Sequence, residues 1–221
     1  GSDAGGAIYR VNGDSVKKVV AIDSAIAVVS LAQTSDGAVW AGTMPGNKPW
    51  KIDVNAGKAS AGPQLGKDIK EVETIWSLTA VGNTLYAGTG PKGKLYAING
   101  KDAKLAFDTE DKRITALTVT SDGAVWLGTS ERALVFKYEP KTGKARAMAD
   151  FAGNEVSSLA PYRDGVVAAA NDLAETPPPA GKTATAVEAA EKPTAAKGQA
   201  AKAPDVGTKP GAEKDPSPVT D

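Results

Sequence analysis

Along residues 1–173, apolar and polar positions alternate in short runs broken by Gly, Asn and Asp. Alternation with period two marks half-buried β-strands, whereas a helix would space its apolar residues three and four apart. The runs also recur. An apolar–aromatic pair followed by small residues and Thr appears as Val39-Trp40-Ala41-Gly42-Thr43, Leu85-Tyr86-Ala87-Gly88-Thr89 and Val125-Trp126-Leu127-Gly128-Thr129, with a degenerate copy at Val166-Val167-Ala168-Ala169-Ala170. Shortly before each stands Ser30-Leu31, Ser77-Leu78, Ala116-Leu117 or Ser158-Leu159. Between the two signatures lies a turn, Ser35-Asp36-Gly37, Val81-Gly82-Asn83, Ser121-Asp122-Gly123 or Arg163-Asp164-Gly165. Asp-Gly between alternating runs predicts a hairpin, because Gly accepts a positive φ.

After each copy of Gly-Thr comes a polar or Gly/Pro-rich loop and then an aromatic, in the series Tyr9, Trp50, Tyr96 and Phe136. A second turn and a weaker strand complete the unit, as at Lys104–Thr109 and Lys144–Asp150. Four short strands in a period of 40 to 46 residues define an all-β chain of β-propeller blades, with the aromatics filling the core between blades. Three complete four-stranded blades are expected, roughly residues 25–66, 73–109 and 113–150. Two half-blades flank them, at residues 7–21 and 154–170. The halves are complementary. They could close a four-bladed ring, or the whole could be a slice of a larger propeller with sheet edges open to self-association. The slice is the favoured expectation.

Composition changes at Ala174. Residues 174–221 hold more than half of the chain's 14 prolines and no aromatic, Leu or Ile. Such a stretch lacks the apolar surface to offset chain entropy, so a disordered Pro/Ala-rich linker or insertion is expected after a propeller at 1–173. The charge balance, 26 Lys+Arg against 26 Asp+Glu, excludes the basic footprint of a nucleic-acid binder. The absence of Cys and His removes thiolate metal sites, the Ser-His-Asp triad and the commonest general base. No apolar run is long enough to span a membrane.

Asp36–Thr43, Asp122–Thr129 and Lys137–Ala145 resemble the propeller repeats in the sensor portions of bacterial two-component regulators. Gly88–Thr109 is similar to bacterial extracytoplasmic propellers of the tryptophan–aspartate-like and quinoprotein-like groups. The resemblance covers the blades. It implies a rigid platform outside the cytoplasm of a bacterium, used for sensing or docking. A quinoprotein dehydrogenase would imply a cofactor-binding calcium site, whose motifs are missing here, and a streptogramin-lyase-like propeller would imply a catalytic His.

Candidate chemistry is sparse. Asp36, Asp122 and Asp164 recur at one turn, where Asp ordinarily bonds its own backbone, so no metal is expected. The segment Gly88–Lys94 is rich in Gly and Lys but departs from the phosphate-loop pattern, so no cofactor is expected. The loops between blades and between second and third strands share one face of a propeller, and function usually sits on such loops. The candidate binding residues there are Trp76, Lys92, Glu110, Asp111, Arg113, Glu131, Arg132 and Glu155. The expected role is a non-catalytic interaction or sensing module for a protein or peptide partner. A carboxylate-based hydrolase or lyase on the same face is the alternative, with a structural segment of a larger sensor a third.

Overall fold

A computed structural model describes residues 5–173, and every regular element among them is a β-strand. The segment expected as a linker, 174–221, lies outside the described residues. The chain opens with a two-stranded hairpin, β1 (Gly6–Asn12) and β2 (Ser15–Ile22). The first blade follows as β3 (Ala27–Gln33), β4 (Val39–Met44), β5 (Trp50–Asp53) and β6 (Lys58–Ala61). The second is β7 (Val72–Val81), β8 (Thr84–Pro91), β9 (Lys94–Asn99) and β10 (Asp102–Asp108). The third is β11 (Arg113–Val119), β12 (Val125–Ser130), β13 (Leu134–Glu139) and β14 (Lys144–Asp150). A last hairpin, β15 (Glu155–Tyr162) and β16 (Gly165–Asn171), joins the third blade through one bridge, Ser130 to Glu155.

All strand pairs are antiparallel meanders, the arrangement of propeller blades. The innermost strands β3, β7, β11 and β15 wall one common cavity of about 260 Å³, with Ser30, Ser77, Ala116 and Ser158 at the same level. The expected three blades and two half-blades are all present. No sheet among the described residues joins β1 to β16, so the four-bladed closure weighed from the sequence is not formed and the arc stays open.

The Gly of each repeat sets the spacing between blades. A Cβ on Gly88 would lie 2.6 Å from Ile114 Cγ2, and one on Gly128 the same distance from Val156 Cγ1. A side chain there would force the sheets apart, so Gly is required for the close approach. Ile75, Ile114 and Val156, the apolar residues that press on Gly42, Gly88 and Gly128, are fully buried. Each junction also holds one aromatic from a second strand. Trp40 packs with Leu65, Val72 and Ile75, Tyr86 with Ile114, Val125 and Tyr138, and Trp126 with Val135 and Val156.

Two local expectations need correction. Tyr9, placed with the core aromatics by its position in the repeat, is 55% exposed, because among the described residues no sheet lies beyond its half-blade. In the last hairpin the positive φ falls on Arg163 (52°), while Gly165 pairs with Tyr162 inside β16. A two-residue loop between paired residues 162 and 165 puts the turn one step earlier than the Asp-Gly signal indicates.

Candidate functional site

The loops expected to share a face do so, and backbone hydrogen bonds join them across and within blades. Gly46 N–H donates to Glu73 O (2.7 Å) and Gly93 N–H to Asp111 O (2.7 Å). The β10–β11 loop is tied to the β12–β13 loop through Asp111, whose side chain is only 3% exposed. Its carboxylate accepts from Thr129 Oγ1 (2.7 Å), Glu131 N (2.8 Å), Lys112 N (2.8 Å) and Arg132 N (3.3 Å). Burial pushes this carboxyl up, but those donors outweigh it and hold it below the usual carboxylate range. Arg132 closes the same lock from the other side, donating from Nη2 to Thr109 O (3.1 Å) and Glu110 O (2.9 Å). Lys112 pairs with Glu131 at the surface.

Beside this lock, Arg113 lies over the Trp76 ring, 5.4 Å from its centroid. Trp76 is half-buried on β7 and lines the central cavity. A side chain on Gly90 would strike Trp76 Nε1 and Arg113 Cγ, both 2.7 Å away, so the bare Gly leaves room for the stacked pair. Trp76, a candidate binding residue in the sequence, thus stands on the cavity wall.

Glu110, Asp111, Glu131 and Arg132 therefore form one cluster, with Trp76 and Arg113 next to it. Glu155 is half-buried at the start of β15, bridged to Ser130 on the far flank of the cluster. Lys92 is exposed on the β8–β9 loop, next to Gly93, whose N–H donates to Asp111 O. Its charge acts on Glu71, which is held below the carboxylate range chiefly by the Lys94 ammonium (2.5 Å) and the Lys67 N–H.

Sequence reasoning missed Lys94 and the two Thr residues that anchor loops. Thr89 Oγ1 donates to Lys94 O (2.9 Å), while Thr129 Oγ1 donates to Asp111 and accepts from Leu134 N (3.1 Å). The recurrent Thr after Gly was the available signal, since it carries the same loop-holding role in two blades. Two of the three turn Asp residues bond their own turns, as expected. Asp36 Oδ1 accepts from Thr34 Oγ1 (2.6 Å) and Ala38 N (3.2 Å), and Asp122 Oδ1 accepts from Thr120 Oγ1 (2.5 Å) and Ala124 N (3.1 Å).

The chain matches no protein-family model and no curated protein. Among solved structures it is similar to virginiamycin B lyase from Staphylococcus aureus, with 16% identity and a TM-score of 0.63 over 75% of this chain and 57% of the lyase. It is similar to the extracellular domain of a one-component system from B. thetaiotaomicron, with 14% identity and a TM-score of 0.58 over 76% of this chain and 24% of that one. An auxiliary nutrient-binding protein from Bacteroides thetaiotaomicron gives 10% identity and a TM-score of 0.51 over 64% of this chain and 36% of that one. These likenesses establish the β-propeller fold. The chain spans less than two thirds of the length of each of the three. A histidine-to-alanine form of the lyase is described as catalytically inactive.

Proposed function

We propose that the chain is a non-catalytic binding or sensing module, which offers the cluster around Trp76, Arg113, Glu131 and Arg132 to a protein or peptide partner outside the cytoplasm. The observation that carries this reading is the Asp111 lock, which fixes two loops before any partner arrives. Preorganised loops lose little freedom on binding, so more of the contact energy appears as affinity. Trp and Arg are the types most enriched among residues that dominate interfaces. The extracellular sensor domain and the nutrient-binding protein support the class of role and the compartment.

Three of the loop acids do not suit the general acid of the hydrolase alternative. A general acid needs a raised pKa. Asp111 and Glu71 are both lowered, and Glu131 is paired with Lys112. The lyase likeness does not extend to chemistry, because these 221 residues contain no His.

The test is selection of a displayed random-peptide library on the full chain. Peptides that bind should lose at least about tenfold in affinity for Arg113→Ala and Arg132→Ala, the size expected of interface hot spots. They should bind Lys141→Ala, altered at the β13–β14 turn, as they bind the unaltered chain. Binders insensitive to both loop changes would remove this site from the proposal.

A further inference from the structure

The two half-blades are, pair by pair, the halves of one blade. In the first hairpin the pairs Val11↔Val16 and Tyr9↔Lys18 repeat Ile98↔Ala103 and Tyr96↔Leu105 of β9–β10, and the register shifts at the same step. In the last hairpin Pro161↔Val166 and Ser158↔Ala169 repeat Val119↔Val125 and Ala116↔Gly128 of β11–β12, again with the same shift. So among the described residues β16 is a second strand without a third, and β1 is a third strand without a second.

The surfaces beside these edges are apolar and open. Tyr9, Val11 and Val167 are 55%, 68% and 56% exposed. A cavity of about 360 Å³ lies where β1 faces β3, lined by Ile8, Tyr9, Val28 and Leu31 among others. The apolar cluster at that place, built on Ile8, Ile22, Ala41 and Ile52, contains no residue from a preceding second strand, whereas the other three junctions each hold Trp40, Tyr86 or Trp126.

We infer that two copies of this chain join head to tail, β16 of each pairing with β1 of the other, and so close one ring. The complete blades fix the register. Val39↔Ile52, Leu85↔Ile98 and Val125↔Tyr138 translate to Val166↔Val11, and Ala41↔Trp50 and Leu127↔Phe136 translate to Ala168↔Tyr9. Val167 then takes the place of Trp40 and covers the cluster around Ile8. Ser158 Oγ stands where Ser77 Oγ donates to Ile114 O (2.9 Å), so it would donate to Val28 O of the second copy.

A second copy is the occupant, rather than the chain's own other end, because of curvature. The arc matches 57% of the length of a propeller chain, and among the described residues its own edges do not meet. Closing on itself would change the angle at every junction where a buried Ile or Val presses on a Gly. Two such arcs hold the strands of eight blades, so a ring of two spreads any adjustment of angle over twice as many junctions, and a head-to-tail contact that closes leaves no edge free.

The full 221-residue chain tests this by light scattering after gel filtration. The expected mass is twice 22.5 kDa, and Val167→Lys should return the chain to a single copy. The chain lacks Cys, so a pair can be introduced without competition. Val11→Cys with Val166→Cys should give a covalent dimer on oxidation, since directly opposed strand residues lie within disulfide reach. Val11→Cys with Ala169→Cys, three residues out of register, should not. A single-copy mass, a disulfide within one chain, or a ladder of larger assemblies would each overturn the two-copy ring.

Discussion

The junction between the second and third blades and the face that the first blade turns toward β1–β2 are built from the same repeat, yet they differ in burial. At the first, Ile114 is fully buried beneath Gly88, and Tyr86 meets Tyr138 at 6.0 Å. At the second, Val28 holds the position of Ile114 and is half-buried. Leu31, at the position of Leu78, is 53% exposed where Leu78 is 7%. The strands and registers are alike, so local sequence makes the sheet. Burial of its apolar face comes only from the neighbouring sheet, and burial is where most of the stabilisation lies.

This contrast can be broken or sharpened by substitution, on protein dilute enough to be a single copy. The largest effect is expected at Ile114→Ala, which should cost about 4 kcal/mol in chemical denaturation, against about 1 kcal/mol for Val28→Ala. Equal losses would mean that the first-blade face is already covered. Gly88→Val should come next, at about 3 kcal/mol, because the new side chain must displace Ile114. Ala169→Val, at the same repeat position on β16, should stay within about 0.5 kcal/mol.

Asp111→Asn should follow at about 2 kcal/mol, from weakened hydrogen bonds to Thr129 and the backbone donors of the β12–β13 loop. Its pH dependence has a definite sign. The folded carboxyl titrates below its unfolded value of about 3.9, so its contribution is complete above that pH and is lost as acid brings the pH down through the lowered folded value. Acid titration should therefore cost the unaltered chain more than the variant. The smallest effect concerns Tyr96, whose burial, with the Glu71 and Asp108 charges, raises its hydroxyl to about 12 from 10.0. Its contribution is complete below pH 10.0 and is lost as pH rises to about 12. Tyr96→Phe should flatten that alkaline decline as followed by circular dichroism.

The blades were legible because strand, turn and aromatic recur at fixed spacing, and the repeat placed every hairpin from β1 to β16. It also grouped the loops that carry Asp111, Glu131 and Arg132 on one face. Spacing could not tell that Asp111 is committed to Thr129 and to backbone N–H groups, because three of those four donors stand 18 to 21 residues further along the chain and meet it only when β11 pairs with β12. Nor could it tell that Arg113 would cover Trp76, since that stacking needs the missing side chain of Gly90 as well. Tyr9 misled for the opposite reason. Its local pattern matches Tyr96, and only the absence of a sheet beside it makes the difference.

The Gly contacts at the junctions have one more consequence. Because each blade meets its neighbours through the same pair of faces, a blade is an interchangeable part. A duplicate of residues 109–150 inserted after Asp150 would present a face like that of Ile114 to Gly128 and a copy of Gly128 to Val156. Length along the arc could thus grow by whole units with no new packing problem to solve, and the circumference of the assembly would be set by copy number instead of by redesign.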